Sequence, residues 1–428
     1  MIDIKKIKGA VSYIKNNCTA DDYTIGIYAK ETLDTRFAQN AVTQHISGDN
    51  LSVHLEVAFG NRTGSASINQ IEENFLDNLI EDASAIAKAN EPDPEYVATE
   101  GPKKILERSN FSQNTADVKV EDVIQIIAKA VENAKSKEAQ LSGMSTKNVS
   151  YSFVQTKNGF VGEDKHSDYD FSMTLKKEGV ETKVSQGVKD FQDFSIDEMI
   201  SRINSQFDLL SNPKEMEAQK ISVIIRPQAV SNLFGFLFWM MNRRDADEGV
   251  SAFSGQEGKQ FFGEKFTLES TFENENLSGG LFSHDGLIAK NLKWVENGIL
   301  KNQPTSRFWA KENNLEPNFP FNFRIAGGEM TEEEMMKEAG KGLIINNFWY
   351  IRFVDQKRGE LTGMTRDGVL YFEDGKIKHS VNNFRWNEII NEVTQRIYGL
   401  GKEELISSGT SVPTLLIKDF NFVDKTSF

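Results

Sequence analysis

ISVIIRPQAVSNLFGFLFWMMNRRDADE, residues 221–248, is the stretch around which the chain is read. Its opening β-branched run, Ile221–Ile225, predicts a buried strand. Pro227 sits where a helix can start, and Val230, Leu233, Phe234, Leu237, Phe238 and Met241 follow at helical spacing. Strand, proline and apolar helix make a core unit, with Asn232–Asn242 expected to be largely buried. The helix carries no His and no Cys, and its first acidic residue, Asp245, comes after the apolar face has ended. A hydrolytic metal helix of the H-E-x-x-H kind needs imidazoles and a carboxylate on one side. This stretch does not supply them.

Toward the N-terminus the pattern predicts a repeated order of elements. Residues 3–17 place Ile4, Ile7, Val11 and Ile14 on one helical face. Strands are expected at Tyr23–Ala29, Thr35–Gln39, Leu51–Phe59 and Arg62–Ile68, the last pair joined at Gly60-Asn61, and a helix at about Ile71–Asn90 after Asn69. Residues 97–118 are polar and irregular, a connector. A helix over Val120–Lys137 follows, then strands Ala139–Lys157, Phe160–Lys176 and Val180–Phe191, and a helix Ser195–Leu210 opened by a Ser195/Glu198 capping box. Helix, antiparallel strands and helix, twice, predict an α+β N-terminal domain over 1–212 with internal copies at 1–95 and 118–212. The copies share no evident identity, so duplication and convergent element order both stay open.

SNPKEMEAQK (211–220) reads as a hinge into a β-rich C-terminal domain, 218–428. There the sequence predicts short strands at Lys265–Phe272, Leu287–Val295 and Ile299–Lys301, and a short helix with an acidic start at Met330–Lys341. A strand at Leu343–Asp355 and hairpins turning at Asp367-Gly368 and Asp374-Gly375 come next. A last long helix at Trp386–Tyr398 and a terminal strand at Thr414–Phe422 close the chain.

Composition narrows the function classes. A formal charge of −14 disfavours nonspecific duplex binding, which needs Lys and Arg against phosphates. No apolar run is long enough to span a membrane, and MIDIKKIKGAVSYIKNN mixes lysines through its apolar residues unlike a signal peptide. A single cysteine, Cys18, excludes an internal disulfide framework and points to a reducing cytoplasm. The five histidines, His45, His54, His166, His284 and His379, form no local zinc motif; His54 alternates within a strand, and His284 precedes Asp285-Gly286 in a turn. Walker A, G-x-G-x-x-G and G-x-S-x-G are absent, and the acidic run Thr331–Glu334 suits a helix N-terminus better than a calcium loop. No catalytic residue, metal ligand set or cofactor site emerges, and no substrate-binding residue is identified.

Thr35-Arg36-Phe37-Ala38-Gln39-Asn40, Asn50–Val53 with Gly64–Asn69, the exit at Asp93-Pro94 and the turn at Asn158-Gly159 resemble successive pieces of the TldD/PmbA family, also called modulators of DNA gyrase. Asp285-Gly286 with Glu296–Leu300, then Gly328–Ile345 and Glu373–Ile377, resemble its later segments. The resemblance implies an α+β fold. It also implies that a zinc-bearing, TldD-type subunit would carry His-Glu-x-x-x-His on the helix after Ile221–Ile225 and a cysteine ligand near the C-terminus. Here that helix offers Phe, Leu, Trp and Met, and the C-terminal position reads Gly409-Thr410-Ser411-Val412-Pro413. The implied role is therefore that of the PmbA/TldE type, a non-catalytic subunit partnering a TldD-type zinc peptidase on peptides or unfolded segments. A homodimer is the other assembly considered. The competing expectations are a stand-alone hydrolase built from Asp245, Asp247, Glu248 and His284, and a protein-binding modulator of gyrase. Loop aromatics Phe308, Trp309, Phe319, Phe321, Phe348, Trp349 and Tyr350 exceed the evident needs of one domain and suggest an interface.

Overall fold

The computed structural model describes residues 3–210 and 213–426; Ser211 and Asn212 of the expected hinge lie outside the described residues. Two sheets organise the chain. In the first, helix α1 (Ile4–Asn17) is followed by strands β1 (Asp22–Ala38), β2 (Ala41–Phe59) and β3 (Arg62–Ile68) and by α2 (Glu73–Ala89). After a connector holding the short α3 (Gln113–Ala116), the order recurs as α4 (Val120–Ser136), β4 (Gln140–Thr156), β5 (Val161–Lys177), β6 (Val180–Val188) and α5 (Ile196–Phe207). The six strands form one antiparallel sheet, β3-β2-β1-β4-β5-β6, so the two units meet through their first strands.

Alternation decides which face is covered. Ile25, Ile27, Val53, Leu55 and Val57 pack beneath α1 and α2, while Tyr169, Phe171, Met173 and Leu175 pack beneath α4 and α5. The opposite face is polar. The expected strands at Tyr23–Ala29 and Thr35–Gln39 are one continuous strand, and β1 and β2 form a long hairpin closed by Gln39 and Asn40, both at positive φ. The sequence reading split it because the middle, Lys30-Glu31-Thr32, carries no apolar alternation. Helix α2 starts later than expected, on Glu72 rather than Asn69.

The second sheet has eleven strands, and part of it closes on itself. Strand β7 (Lys220–Ile225) leads through α6 (Pro227–Phe234), α7 (Leu237–Met240) and α8 (Arg243–Asp247) into short strands β8 (Leu268–Ser270), β9 (Leu292–Glu296) and β10 (Ile299–Leu300). Helix α9 (Arg307–Asn313), β11 (Phe323–Ile325) and α10 (Glu332–Ala339) follow. Long strands then run as β12 (Lys341–Asp355), β13 (Glu360–Glu373), β14 (Lys376–Val381) and β15 (Phe384–Ile389). The chain ends in α11 (Ile390–Gln395), β16 (Ile397–Ser407) and β17 (Thr410–Lys425). Strand β7 pairs parallel to β12 and antiparallel to β17, which completes a ring β7-β12-β13-β15-β17. Val223, Ile225, Leu343, Ile345, Trp386, Leu415 and Phe420 belong to its core, with Val230, Leu233 and Phe234 of α6.

Three expectations change here. The single helix Asn232–Asn242 is broken at Gly235-Phe236, and Trp239 is 74% exposed while Phe234 and Leu237 are buried. Trp386–Tyr398 is not one long helix. Phe384, Trp386 and Glu388 alternate inward on β15, where Trp386 packs on Phe348 and Phe420, and only Ile390–Gln395 is helical. Asp367-Gly368 is not a hairpin turn. Both residues have positive φ inside the continuous β13, where the pairing with β12 shifts register, a bulge instead of a reversal. Asp374-Gly375 does turn the chain, from β13 into β14.

The connector is more than a spacer. Arg108 donates to the carbonyls of Phe272, Asn274, Glu275 and Leu277 at 2.6–3.0 Å, and Asn110 donates to that of Gly279 at 2.8 Å. Arg307 pairs with Glu100 at 2.9 Å. The polar strap thus fastens loops of the second sheet across the bare face of the first. Five guanidinium hydrogens in a fixed fork suit Arg108 to several carbonyls at once.

Candidate functional site

The first place to examine is the helix that follows β7. Arg226, its N-cap, forms a two-pronged pair with Glu332 at 2.8 Å and donates to Asn346 at 2.6 Å. Gln228 and Asn232 stand four residues apart on one face of the helix. Both amides are committed. Ser185 donates to Gln228, Gln228 donates to Asn232 at 3.3 Å, and Asn232 donates to Asn347 at 2.6 Å and to the Phe348 carbonyl at 3.1 Å. A cavity of about 140 Å³ adjoins them, lined by Lys183, Arg202, Arg226, Gln228, Glu332 and Glu404. Neither a thiol nor an imidazole lines it. Ser411 of β17 donates to Glu403 at 3.2 Å, and the chain's one cysteine is buried at the end of α1 in the other half. Carboxamides and guanidinium groups do not fit zinc, which takes imidazole, thiolate or carboxylate. No step of metal hydrolysis can be derived at this position.

The residues considered for a stand-alone hydrolase do not converge. Asp247 is bound by Arg243 at 2.8 Å and by the Trp309 indole at 2.8 Å, and Glu248 is paired with Arg244 at 2.9 Å. With Arg243 also holding Glu257 and Arg244 also holding Glu95, the acids of α8 are tied up in an ion-pair cluster. Asp247 is held below the usual carboxylate range by Arg243 and Trp309, against a burial effect that would raise it.

His284 goes elsewhere, to His54 and Glu56 on β2. Two residues apart on a strand, these two point to the same face, the bare one. The His54 and His284 rings lie edge to face with centroids 4.9 Å apart, and His284 Nε2 is 3.7 Å from Glu56 Oε2. One donor atom from each of the three falls within 4.8 Å of the other two, the one such cluster among the described residues. The His54 Nδ1 bonds to the Ser67 hydroxyl on β3 at 2.9 Å. Gly26, opposite His54 in the β1–β2 register, leaves the space in which the His284 ring rests: a Cβ there would lie 3.1 Å from His284 Nδ1. The His284 imidazole beside it holds the Glu56 carboxyl below its ordinary value, while burial, then the neighbouring His284, push the His54 imidazole down. Beside Glu56 opens a cavity of about 230 Å³, lined in part by Asp22, Thr24, Tyr96, Asp285 and Arg307.

The sequence predicts a half-buried sheet residue at His54 and a loop residue at His284; the fold brings the two together. His-Leu-Glu at 54–56 held half of the signal, because alternation puts a ligand pair on one face. The third member depends on how a loop from the second sheet crosses the first. The other histidines have separate partners: His45 bonds Thr35 at 2.8 Å, His166 pairs with Asp168 at 3.1 Å, and His379 stacks on Tyr371.

The chain thus has a two-sheet α+β architecture with a ring-closed C-terminal sheet, and the helix after β7 presents carboxamides and no imidazole, thiol or carboxylate. Residues 218–424 match the PmbA/TldA metallopeptidase C-terminal domain. The C-terminal half of the chain therefore belongs to that metallopeptidase domain family. Metalloprotease PmbA of Escherichia coli O157:H7 is 21% identical over 402 residues, covering 84% of this chain and 82% of that protein. Among solved structures, TldE from Thermococcus kodakarensis superimposes with a TM-score of 0.88 at 16% identity, over 98% of this chain and 100% of that one. A protein from Thermotoga maritima described as a proposed modulator of a DNA gyrase gives 0.86 at 18% identity, over 98% and 100%. Among the described residues no helix is long and apolar enough to cross a membrane.

Proposed function

We propose that this chain is a PmbA/TldE-like, non-catalytic subunit that partners a TldD-type zinc peptidase in the cytoplasm and helps it cleave peptides or unfolded segments. The observation that carries the reading is the helix after β7 itself, Pro227–Phe234, which offers no imidazole, thiol or carboxylate for zinc or for a general base. The likeness to TldE supports the same branch. The division into a domain over 1–212 and another over 218–428 belongs to this proposal, the polar strap of residues 97–118 binding one to the other.

An exposed aromatic surface supports a partner. Trp349 is 43% and Tyr350 55% exposed, side by side on β12, with Val354 at 52% further along the strand. Arg366 lies over the Trp349 ring and Arg352 over that of Tyr350. Tyr350 has positive φ at a bulge, which turns its ring outward at a conformational cost. Aromatics and arginine are the residues that interface cores favour. Of the seven loop aromatics singled out in the sequence, Phe348 is buried in the core and Phe319 is half exposed.

The test is reconstitution. The chain, a TldD-type protein with His-Glu-x-x-x-His from the same genome, and their mixture are compared by sedimentation and by cleavage of unfolded peptides. A stable complex whose cleavage exceeds that of either component supports the reading. A mixture that forms no complex and cleaves nothing beyond the separate components refutes it.

A further inference from the structure

We propose that His54, Glu56 and His284 form a divalent transition-metal site that pins the 283–286 loop of the C-terminal half onto the bare face of the N-terminal sheet. The argument is geometric and independent of the partner-subunit reading. Two imidazoles and a carboxylate from segments more than two hundred residues apart converge until their donor atoms lie within 4.8 Å of one another. A tetrahedral zinc-class ion with bonds of about 2 Å needs donors about 3.3 Å apart. Closing the remaining ångström or so requires only side-chain rotation, since Glu56 and His284 are about half exposed.

Three details favour an ion over an incidental cluster. The Ser67 hydroxyl fixes the His54 ring through Nδ1; in the tautomer where Nδ1–H donates to it, Nε2 carries no proton and is free to ligate. An outer partner of this kind sets the tautomer of most metal-binding histidines. Gly26 gives the His284 ring a seat on the sheet that any side chain would narrow. The same loop is anchored nearby, where Phe282 lies over Gly162, so that His284 is held in place without any ion. Imidazole and carboxylate together select zinc, nickel, copper or cobalt over magnesium and calcium, which prefer all-oxygen shells. Three protein donors leave a fourth position open, on the flank where Glu56 borders the 230 Å³ cavity.

The experiment uses the untagged full chain, stripped by chelator, titrated with zinc by calorimetry and with cobalt by visible absorption. One ion per chain is expected, with a cobalt spectrum of mixed nitrogen and oxygen donors. H54Q and H284Q should each weaken binding about tenfold or more, whereas H166Q should leave it unchanged. G26A, which crowds the ring without removing a donor, should weaken it as well. Zinc should also slow hydrogen exchange in peptides spanning 45–58 and 279–288 together. Absence of uptake at about 0.1 mM zinc, ten thousand times weaker than a tight zinc-class site, overturns the proposal, as does uptake that persists in the H54Q/H284Q double variant. Because Gln keeps the polarity of these partly exposed positions, the folded state is checked by circular dichroism and the outcome stays readable.

Discussion

Asp170 of β5 offers the sharpest test of how the two halves press on each other. It lies on the bare face of the first sheet beside Asp168, and its carboxyl is pushed up to about 7 by burial first and by the Asp168 charge second. Asp168 keeps its charge instead: burial would raise it, but His166 at 3.1 Å and Asn148 at 2.8 Å hold it below its ordinary value. The burial of Asp170 comes from the second sheet. Its Oδ1 would stand 2.2 Å from a Cβ on Gly187, and the backbone of Ser407, at the end of β16, lies against the same glycine. A folded-state value above the unfolded one means the native chain holds a proton that the unfolded chain has lost. Stability therefore falls as pH rises from about 4 to about 7 and is level above that. The full difference corresponds to a ceiling of about 4 kcal/mol; partial solvent access reduces it to about 1–2 kcal/mol. D170N mimics the protonated acid and should remove the slope, stabilising the first sheet at pH 8. The loss attributed to Asp168 lies below about pH 4, outside this window. Tryptophan fluorescence would miss the effect, because all five tryptophans lie in the second half. Hydrogen exchange in peptides over 161–188, corrected for intrinsic rates, reads it directly. Protection at pH 8 should rise about 5- to 30-fold in D170N and be equal to wild type near pH 4. An unchanged slope, or a loss of protection at pH 8, would refute the assignment.

Other outcomes follow from packing. F238A should cost about 2 kcal/mol, less than a fully buried Phe, because Phe238 is half-buried edge-on to Trp294 and Phe323, whereas W239A should stay within about 0.5 kcal/mol; urea unfolding of both decides it. R324M should destabilise by about 2–3 kcal/mol at pH 7, since it strips Glu403 and Glu269 of their shared guanidinium, and by less at pH 4, where Glu403, no longer held low by that guanidinium, takes up a proton; equal losses at both pH values would contradict the pairing. G64A should cost about 1–3 kcal/mol in thermal unfolding, because a Cβ there would sit 2.3 Å from the Ala87 nitrogen where α2 crosses β3, and a neutral result would mean the helix can lift.

What the sequence could show follows from how far apart the interacting residues are. Elements whose periodicity is complete within a few residues are legible: α1, α4 and α5 on their apolar faces, β4 to β6 on alternation, and Ser195 accepting from the Glu198 amide. The two helix–strands–helix units of the α+β fold are visible for the same reason. Errors arise where tertiary contacts override local pattern. Trp386-Asn387-Glu388 looks helical until Phe348 and Phe420 claim the tryptophan, and Asp367-Gly368 looks like a turn until its long strand is seen to run through it. That the helix after β7 carries no His and no Cys is readable, because it is a local fact. The His54–Glu56–His284 cluster was only half readable. Strand alternation pairs the first two, but nothing near His284 announces that Gly26 and Gly162 have cleared a path for its loop. The logic also runs backward. A glycine in mid-strand, opposite a histidine and bounded by Ile25 and Ile27, weakens the sheet unless something occupies the space it leaves. That occupant is an imidazole from the other half of the chain, so the cost at Gly26 is incurred where the two sheets meet.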